Sequence, residues 1–99
     1  KSGRHCKEAV RWWEKSIAEG ERLGAKLELS RTYFEIGKRL LEKPLTEKHA
    51  RLQSKARSLA KKIIGLTPEE CLSKAEAMFR EMDLQWDLAE LAKVRQTQA

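Results

Sequence analysis

Apolar residues recur at three- and four-residue spacing along almost the whole chain, which is the period of a helix rather than of a strand. Five stretches carry this pattern, separated by short segments that contain glycine, proline or aspartate. The predicted helices cover about 5–23, 26–43, 46–64, 67–82 and 84–96. No stretch of useful length alternates with period two. The pattern therefore predicts an all-α fold of about five antiparallel helices.

The boundaries of the third and fourth helices have the clearest chemistry. Thr67 and Pro68 precede two glutamates, so the threonine can cap the helix, the proline can take its first position and Glu70 can complete a capping box. Thr46 can cap the third helix, and Pro44 ends the second because it disfavours helical geometry at residue 43. The third helix carries a narrow apolar stripe formed by Leu45, His49, Leu52, Ala56, Leu59 and Ile63.

Two segments of the chain resemble each other when the sequence is shifted by 59 residues. Residues 14–32 then lie over residues 73–91, with Lys15 on Lys74 and Leu29 on Leu88. Small residues mostly meet small ones, and apolar residues mostly meet apolar ones. Each segment is predicted to be a helix, a tight turn and the start of another helix, which is the form of an internal repeat.

A glycine stands in the middle of the second predicted helix, in the stretch RTYFEIGKRLLE. Glycine in a helix interior costs roughly 1 kcal/mol relative to alanine. Tyr33, Ile36, Gly37 and Leu40 resemble the first-helix signature of a tetratricopeptide repeat (TPR), and Trp13 with Ser16 and Leu72 with Ala75 resemble its second-helix signature. This resemblance implies that Gly37 faces a neighbouring helix at close range. The packing residues that it implies are Trp13, Ser16, Tyr33, Ile36, Gly37, Leu40, Leu72, Ala75 and Phe79.

The resemblance also implies an order of helix types along the chain and a kind of larger protein to which the chain belongs. The order is second helix, first helix, insertion, second helix and first helix, with 43–67 as an insertion in the second repeat of a single domain, 1–99. The pattern looks like the C-terminal TPR-type tails of large bacterial signalling proteins that carry ATPase, cyclase, kinase or transcription-regulator modules. Because the chain begins with Lys1 and shows no signal peptide, we interpret it as a piece of a longer, cytoplasmic protein.

The composition places the basic charge in the insertion. Charged residues make up 36% of the 99 residues and the formal net charge is +6. Residues 43–64 contain seven basic side chains and one acid, whereas the remainder holds fourteen of each. A basic ridge is predicted at Lys48, Arg51, Lys55 and Lys62. It is interpreted as a solvated helix face, with an acidic protein, nucleic acid or a membrane surface as alternatives.

The residues give no sign of catalytic chemistry. No nucleophile motif, phosphate-binding glycine loop or HExxH sequence is present. Cys6 and Cys71 are far apart and match no metal-ligand spacing, so ordinary thiols are expected. We therefore expect no enzymatic activity, no cofactor and no metal.

The expected function is protein–protein interaction or scaffolding. By resemblance, TPR grooves are lined by the first helix on either side of the small packing residue, here at Arg31, Phe34, Lys38 and Leu41. Phe34 would anchor an apolar side chain, while Arg31 and Lys38 would hold a peptide carboxylate. The alternative for Phe34 is that it packs under the insertion.

Two other functions remain open. One is self-association through uncovered end helices, which would bury Trp12, Trp86 or Val94 between two copies of the chain. The other is nucleic-acid binding by the basic ridge, which would weaken steeply with salt. The expected partner is another protein, a peptide or a second copy. Nucleic acid is less favoured because no aromatic residues interleave the basic ones, and a membrane is less favoured as well.

Overall fold

The structure is a computed structural model that describes the backbone of residues 2–96 and the side chains of residues 6–96. This part of the chain forms five helices: α1 (Ser2–Leu23), α2 (Lys26–Leu41), α3 (Glu47–Ile63), α4 (Pro68–Glu81) and α5 (Gln85–Gln96). None of residues 2–96 lies in a strand. The predicted all-α fold is therefore confirmed.

The predicted caps of α3 and α4 are also confirmed, whereas α1 begins at Ser2, earlier than the predicted residue 5. The Glu70 amide donates to Thr67 Oγ1 at 3.2 Å, and the Thr67 amide donates to Glu70 Oε1 at 2.8 Å, which completes the capping box of α4. Thr46 Oγ1 accepts a hydrogen bond from the His49 amide at 3.0 Å and caps α3. The end of α2 differs from the prediction. It stops at Leu41, because Glu42 already has an extended backbone with φ −64° and ψ 151°.

Helix α2 lies at the centre of the molecule. It packs most extensively on α4 and also contacts α1, α3 and α5, while α3 lies mainly on α1. The Cα atoms span 39 × 33 × 16 Å. The shortest extent matches two layers of helices about 10 Å apart, each with a Cα radius of about 2.3 Å. The two-layer core consists of Val10, Trp13, Ile17, Tyr33, Ile36, Leu40, Ala56, Ala60, Cys71, Leu72, Ala75, Phe79 and Leu91.

The packing residues expected from the TPR resemblance are nearly all buried, whereas Ser16 is half-buried. The surroundings of Gly37 explain why this position has no side chain. A Cβ built there would lie 2.6 Å from both Cγ and Cδ2 of Leu72 and 3.1 Å from the Pro68 carbonyl oxygen. The predicted close approach at Gly37 is confirmed, and α4 is the helix that approaches.

Two turns of the chain repeat each other at the 59-residue shift. Gly24 and Asp83 both have left-handed backbones, with φ 66° and φ 56°. The Ala25 amide donates to the Gly20 carbonyl at 2.9 Å, and the Leu84 amide donates to the Phe79 carbonyl at 2.9 Å. Helix α2 begins at Lys26 and α5 begins at Gln85, again 59 residues apart. The two helix–turn–helix segments of the predicted repeat are thus alike in backbone structure.

The segment 43–67 contains helix α3, and its predicted apolar stripe is confirmed in part: Ala56 is buried, and His49, Leu52, Leu59 and Ile63 are half-buried. Gln53, Ala56 and Ala60 are the buried residues of α3, whereas Leu45 lies before the helix and is almost fully exposed. The polar Gln53 is buried because its Nε2 donates to the carbonyls of Arg39 at 3.0 Å and Glu42 at 2.7 Å. Helix α3 therefore supplies hydrogen bonds to the unsatisfied carbonyl end of α2.

A second residue of α3, Arg57, also donates a hydrogen bond to a backbone carbonyl near the end of α2. Arg57 Nε donates to the Leu40 carbonyl at 2.6 Å, and its Nη2 donates to Gln53 Oε1 at 3.2 Å. Arg57 is one of the seven basic residues of 43–64, and its hydrogen bond to Leu40 joins α3 to α2.

Candidate functional site

A groove of about 550 Å³ lies between α2 and α5 on one side of the molecule. Its walls are formed by Arg31, Phe34, Glu35, Lys38, Arg39 and Glu42 from α2 and by Trp86 and Asp87 from α5. A smaller depression of about 200 Å³ adjoins it along the same two helices and shares Phe34, Lys38 and Glu42 with it. We call the larger and the smaller parts together the α2–α5 groove.

Phe34, an aromatic residue in the wall of the groove, also packs against the core. The Phe34 ring meets the Phe79 ring of α4 edge to face, with centroids 5.9 Å apart and planes at 72°. Phe34 is therefore half-buried and contributes both to the α2–α4 interface and to the groove. Trp86, on the opposite helix, leaves 70% of its surface exposed. One side chain of the aromatic pair is thus fixed by packing, and the other is accessible.

A buried carboxylate of α5 contacts α2 in the groove. Asp87 is buried, and Arg31 Nη2 donates to its Oδ2 at 3.4 Å. A buried carboxylate is costly without such a partner. The interaction joins α2 to α5 through one guanidinium nitrogen of Arg31, whose side chain stays 54% exposed. That Arg31 receives a carboxylate of a peptide stays a prediction.

Three of the four predicted groove residues come together. Arg31, Phe34 and Lys38 all line the groove, whereas Leu41 is half-buried and packs against the core. The placement of Leu41 is explained by its position one residue after the buried Leu40, at the helix end that α3 covers through Gln53 and Arg57. Lys38 is exposed, and no ion pair of its ammonium group occurs within the described side chains.

The residues proposed for self-association separate in the structure. Trp86 lies in the α2–α5 groove, and Val94 lines its smaller part. Trp12 lies elsewhere, on the outer face of α1, with 67% of its surface exposed above a shallow depression that it shares with Glu8, Arg11 and Lys15. The three residues were predicted as one set, but in the structure they lie on two separate surfaces.

Sequence reasoning missed the acidic side of the groove. Glu35, Glu42 and Asp87 line its larger part, and Glu90 lines its smaller part. Arg31, Lys38 and Arg39 balance the three acids of the larger part, so the groove has mixed charge rather than a positive field. In the sequence, these acids are visible only as acidic residues that recur along predicted helices. Because this pattern is common on solvent-exposed helix faces, it does not identify a groove.

The basic ridge lies on the outer face of α3. Lys48, Arg51, Lys55 and Lys62 are all exposed, on the side away from the buried Ala56. Within the described side chains, these four cations make no ion pair, and α3 carries no Phe, Tyr or Trp. This arrangement agrees with a solvated face and adds nothing in favour of base stacking.

The thiols and acids form no visible metal centre. Within the described residues, no group of three or more His, Cys, Asp or Glu side chains is close enough to hold a metal ion. Cys6 is half-buried and its Sγ donates to the Leu52 carbonyl at 3.4 Å. Cys71 is buried between α2 and α4, and burial raises the pKa of its thiol to about 11. A neutral, buried thiol is a packing group rather than a nucleophile.

Comparison with family models, curated proteins and solved structures finds no match to this chain. The TPR resemblance therefore depends only on the residues quoted above. A separate observation concerns membranes: among the helices of residues 2–96, none has both the length and the apolar character that a bilayer crossing requires.

Proposed function

We propose that this chain is a non-catalytic protein–protein interaction module that binds a peptide or helix of another protein in the α2–α5 groove. The observation that carries the proposal is the exposed Trp86 across the groove from Phe34 and Lys38. Tryptophan is enriched among the residues that dominate binding energy, and a tryptophan left 70% exposed beside a concave surface is a natural contact for a partner.

The walls suggest the chemistry of the ligand. Phe34 and Trp86 offer apolar surface for an aliphatic or aromatic side chain, and Lys38 offers a cation without a partner among the described side chains. Arg31 is held by Asp87, so Lys38 is the better group to receive a carboxylate. The favoured ligand is an acidic segment with at least one large apolar side chain, bound as an extended peptide or as one face of a helix.

The resemblance to TPR proteins supports the same proposal from the sequence. It assigns α2 and α5 to the first-helix type that lines the concave face of such repeats. It also suggests that the module is the C-terminal regulatory part of a larger bacterial signalling protein in the cytoplasm. The α2–α5 groove is where that assignment would place a ligand.

The test is selection of peptides from a random display library on the wild-type chain, followed by affinity measurements on variants. Selected peptides should combine an acidic residue with an aromatic or large aliphatic one. Trp86→Ala should weaken their binding by roughly 30-fold or more, since hot-spot truncations cost about 2 kcal/mol or more. Lys38→Glu should remove the preference for acidic peptides.

The matched control is Trp12→Ala, which removes another tryptophan of similar exposure outside the groove. It should leave peptide affinity unchanged. Failure to enrich any peptide sequence would contradict the proposal, and so would peptides that bind the Trp86→Ala and Lys38→Glu variants as well as they bind the wild type.

A further inference from the structure

The basic ridge of α3 gathers the net charge of the molecule on one surface. Residues 43–64 carry seven basic side chains and one acid, and the rest of the chain holds fourteen of each. Lys48, Arg51, Lys55 and Lys62 follow one another at spacings of three, four and seven residues, so they lie within about 60° around the helix and extend over about 21 Å of its axis. The ridge is therefore a line of positive charge on an otherwise balanced protein.

The four cations of the ridge are not used within the fold. None of them makes an ion pair with another described side chain, whereas the other two exposed cations of α3 are engaged. Arg57 donates to a backbone carbonyl of α2, and Lys61 Nζ lies 4.0 Å from Glu70 Oε1. Like charges one turn apart, such as Arg51 and Lys55, destabilise a helix. An anionic partner on the ridge would relieve this repulsion.

Every exposed residue of α3 is polar. The nine exposed positions are six cations, two serines and one glutamate, while Ala56 and Ala60 are buried and Leu59 and Ile63 pack against the core. Protein interfaces have an apolar centre in which charged residues are depleted, and a helix that binds a bilayer surface inserts an apolar face. The exposed side of α3 offers neither. A phosphate backbone, in contrast, is bound by cations and hydroxyl groups alone.

Among nucleic acids, the surface fits double-stranded DNA best. Single strands are held largely by bases stacked on aromatic side chains, and α3 carries no Phe, Tyr or Trp. Helix α3 packs mainly on α1, so its outer side is free to approach a groove. The major groove of B-DNA is about 12 Å wide and accepts a helix, whereas that of duplex RNA is too narrow. Along one DNA strand, the ridge would cover about six phosphates.

We infer that the basic ridge binds double-stranded DNA through its phosphates, without reading the base sequence. Ser54 and Ser58 lie between the cations along the helix and are exposed, so their hydroxyl groups can donate to phosphate oxygens. Contacts of this kind alone give dissociation constants of about 1–100 µM at physiological salt. DNA binding is independent of peptide binding, because none of the four ridge residues lines the α2–α5 groove.

The experiment measures the fluorescence anisotropy of a labelled DNA duplex, about twice as long as the ridge, titrated with the whole chain at several salt concentrations. With four phosphate contacts, the logarithm of the affinity should fall against the logarithm of the salt concentration with a slope of about −3.6, which is roughly 150-fold for a fourfold rise in salt. Arg51→Gln/Lys55→Gln should reduce this slope to about −1.8 and weaken binding at low salt by roughly 10-fold or more. Two duplexes of unrelated sequence should bind equally.

The matched control is Arg11→Gln/Lys15→Gln, which removes two exposed cations of α1 and lowers the net charge by the same amount. Glutamine is a good helix former, so both double variants should keep their helices, as far-UV circular dichroism checks. The α1 variant should bind DNA like the wild type. Equal losses in the two variants would overturn the inference, because binding would then follow net charge rather than the ridge.

Other polyanions test the identity of the partner. The same titration uses a single strand of the same sequence, an RNA duplex, an oligoglutamate of equal charge and phosphatidylserine vesicles. Each should bind more weakly than the DNA duplex. Equal or tighter binding of any of them overturns the assignment to duplex DNA, and so does a wild-type chain that leaves the duplex unbound at low salt.

Discussion

Replacing Gly37 by alanine tests the tightest contact in the molecule. Alanine is the better helix former by roughly 1 kcal/mol, so an unobstructed site would be stabilised. At Gly37 the new Cβ would lie 2.6 Å from Cγ and Cδ2 of Leu72 and 3.1 Å from the Pro68 carbonyl oxygen. Reaching ordinary contact at 3.4 Å requires a movement of about 0.8 Å.

The size of the destabilisation depends on whether Leu72 and Pro68 can move away from the new Cβ. Leu72 is buried, and Pro68 belongs to the capped first turn of α4, so neither can turn into solvent. Overpacking of this kind typically costs about 1–3 kcal/mol. Because three atoms are involved, we take the upper part of that range and subtract about 1 kcal/mol for helix propensity. The expected net loss of unfolding free energy is about 1–2 kcal/mol, or a fall in Tm of roughly 5–15 °C.

The assay is urea denaturation followed by circular dichroism, with Gly20→Ala as the matched control. Gly20 is also a buried helical glycine, but its added Cβ would lie 3.3 Å from Leu29 Cδ1, the end of a half-buried side chain. That variant should stay within about 0.5 kcal/mol of the wild type or gain up to about 1 kcal/mol. The two substitutions are chemically the same and differ only in what surrounds them.

A double variant shows whether Leu72 is the cause. Leu72→Ala removes the two side-chain atoms that the new Cβ would meet, so adding Gly37→Ala to it should be neutral or stabilising. The coupling energy between the two sites should be about 0.5–3 kcal/mol. A Gly37→Ala variant that is as stable as the wild type, or a double variant whose effects simply add, would refute the close-packing explanation.

Three further predictions concern stability. Thr67→Ala should lower the unfolding free energy by about 1 kcal/mol through loss of the cap that pairs with Glu70, measurable by urea denaturation. Asp83→Gly should raise it by about 0.5–1 kcal/mol, because φ 56° strains an aspartate more than a glycine; a lower urea midpoint would contradict this. Because burial raises the pKa of Cys71 from 9.0 to about 11, the unfolded state loses this proton first, and stability should fall between pH 9 and pH 11. The fall should be smaller in Cys71→Ala, as denaturation at several pH values would show.

The candidate site was predictable only in part. Phe34 and Lys38 were named because they flank Gly37 on one helix, and residues one turn apart stay neighbours in any fold. Trp86 and Asp87 joined them because α5 packs beside α2, which no local pattern shows. The roles of Gln53 and Arg57 were missed for a related reason: both satisfy backbone carbonyls of another helix, and such partners cannot be inferred from spacing.

The sequence by itself determined the elements of this protein: five helices and the caps at Thr46 and Thr67. These features depend on neighbours within about four residues, so local chemistry is sufficient to specify them. Tertiary structure alone decided that α4 approaches Gly37, that Arg31 is held by Asp87 and that Trp12 and Trp86 lie on different surfaces. Those outcomes depend on which helix faces meet, and many pairings of amphipathic helices bury similar apolar area before the whole chain is packed.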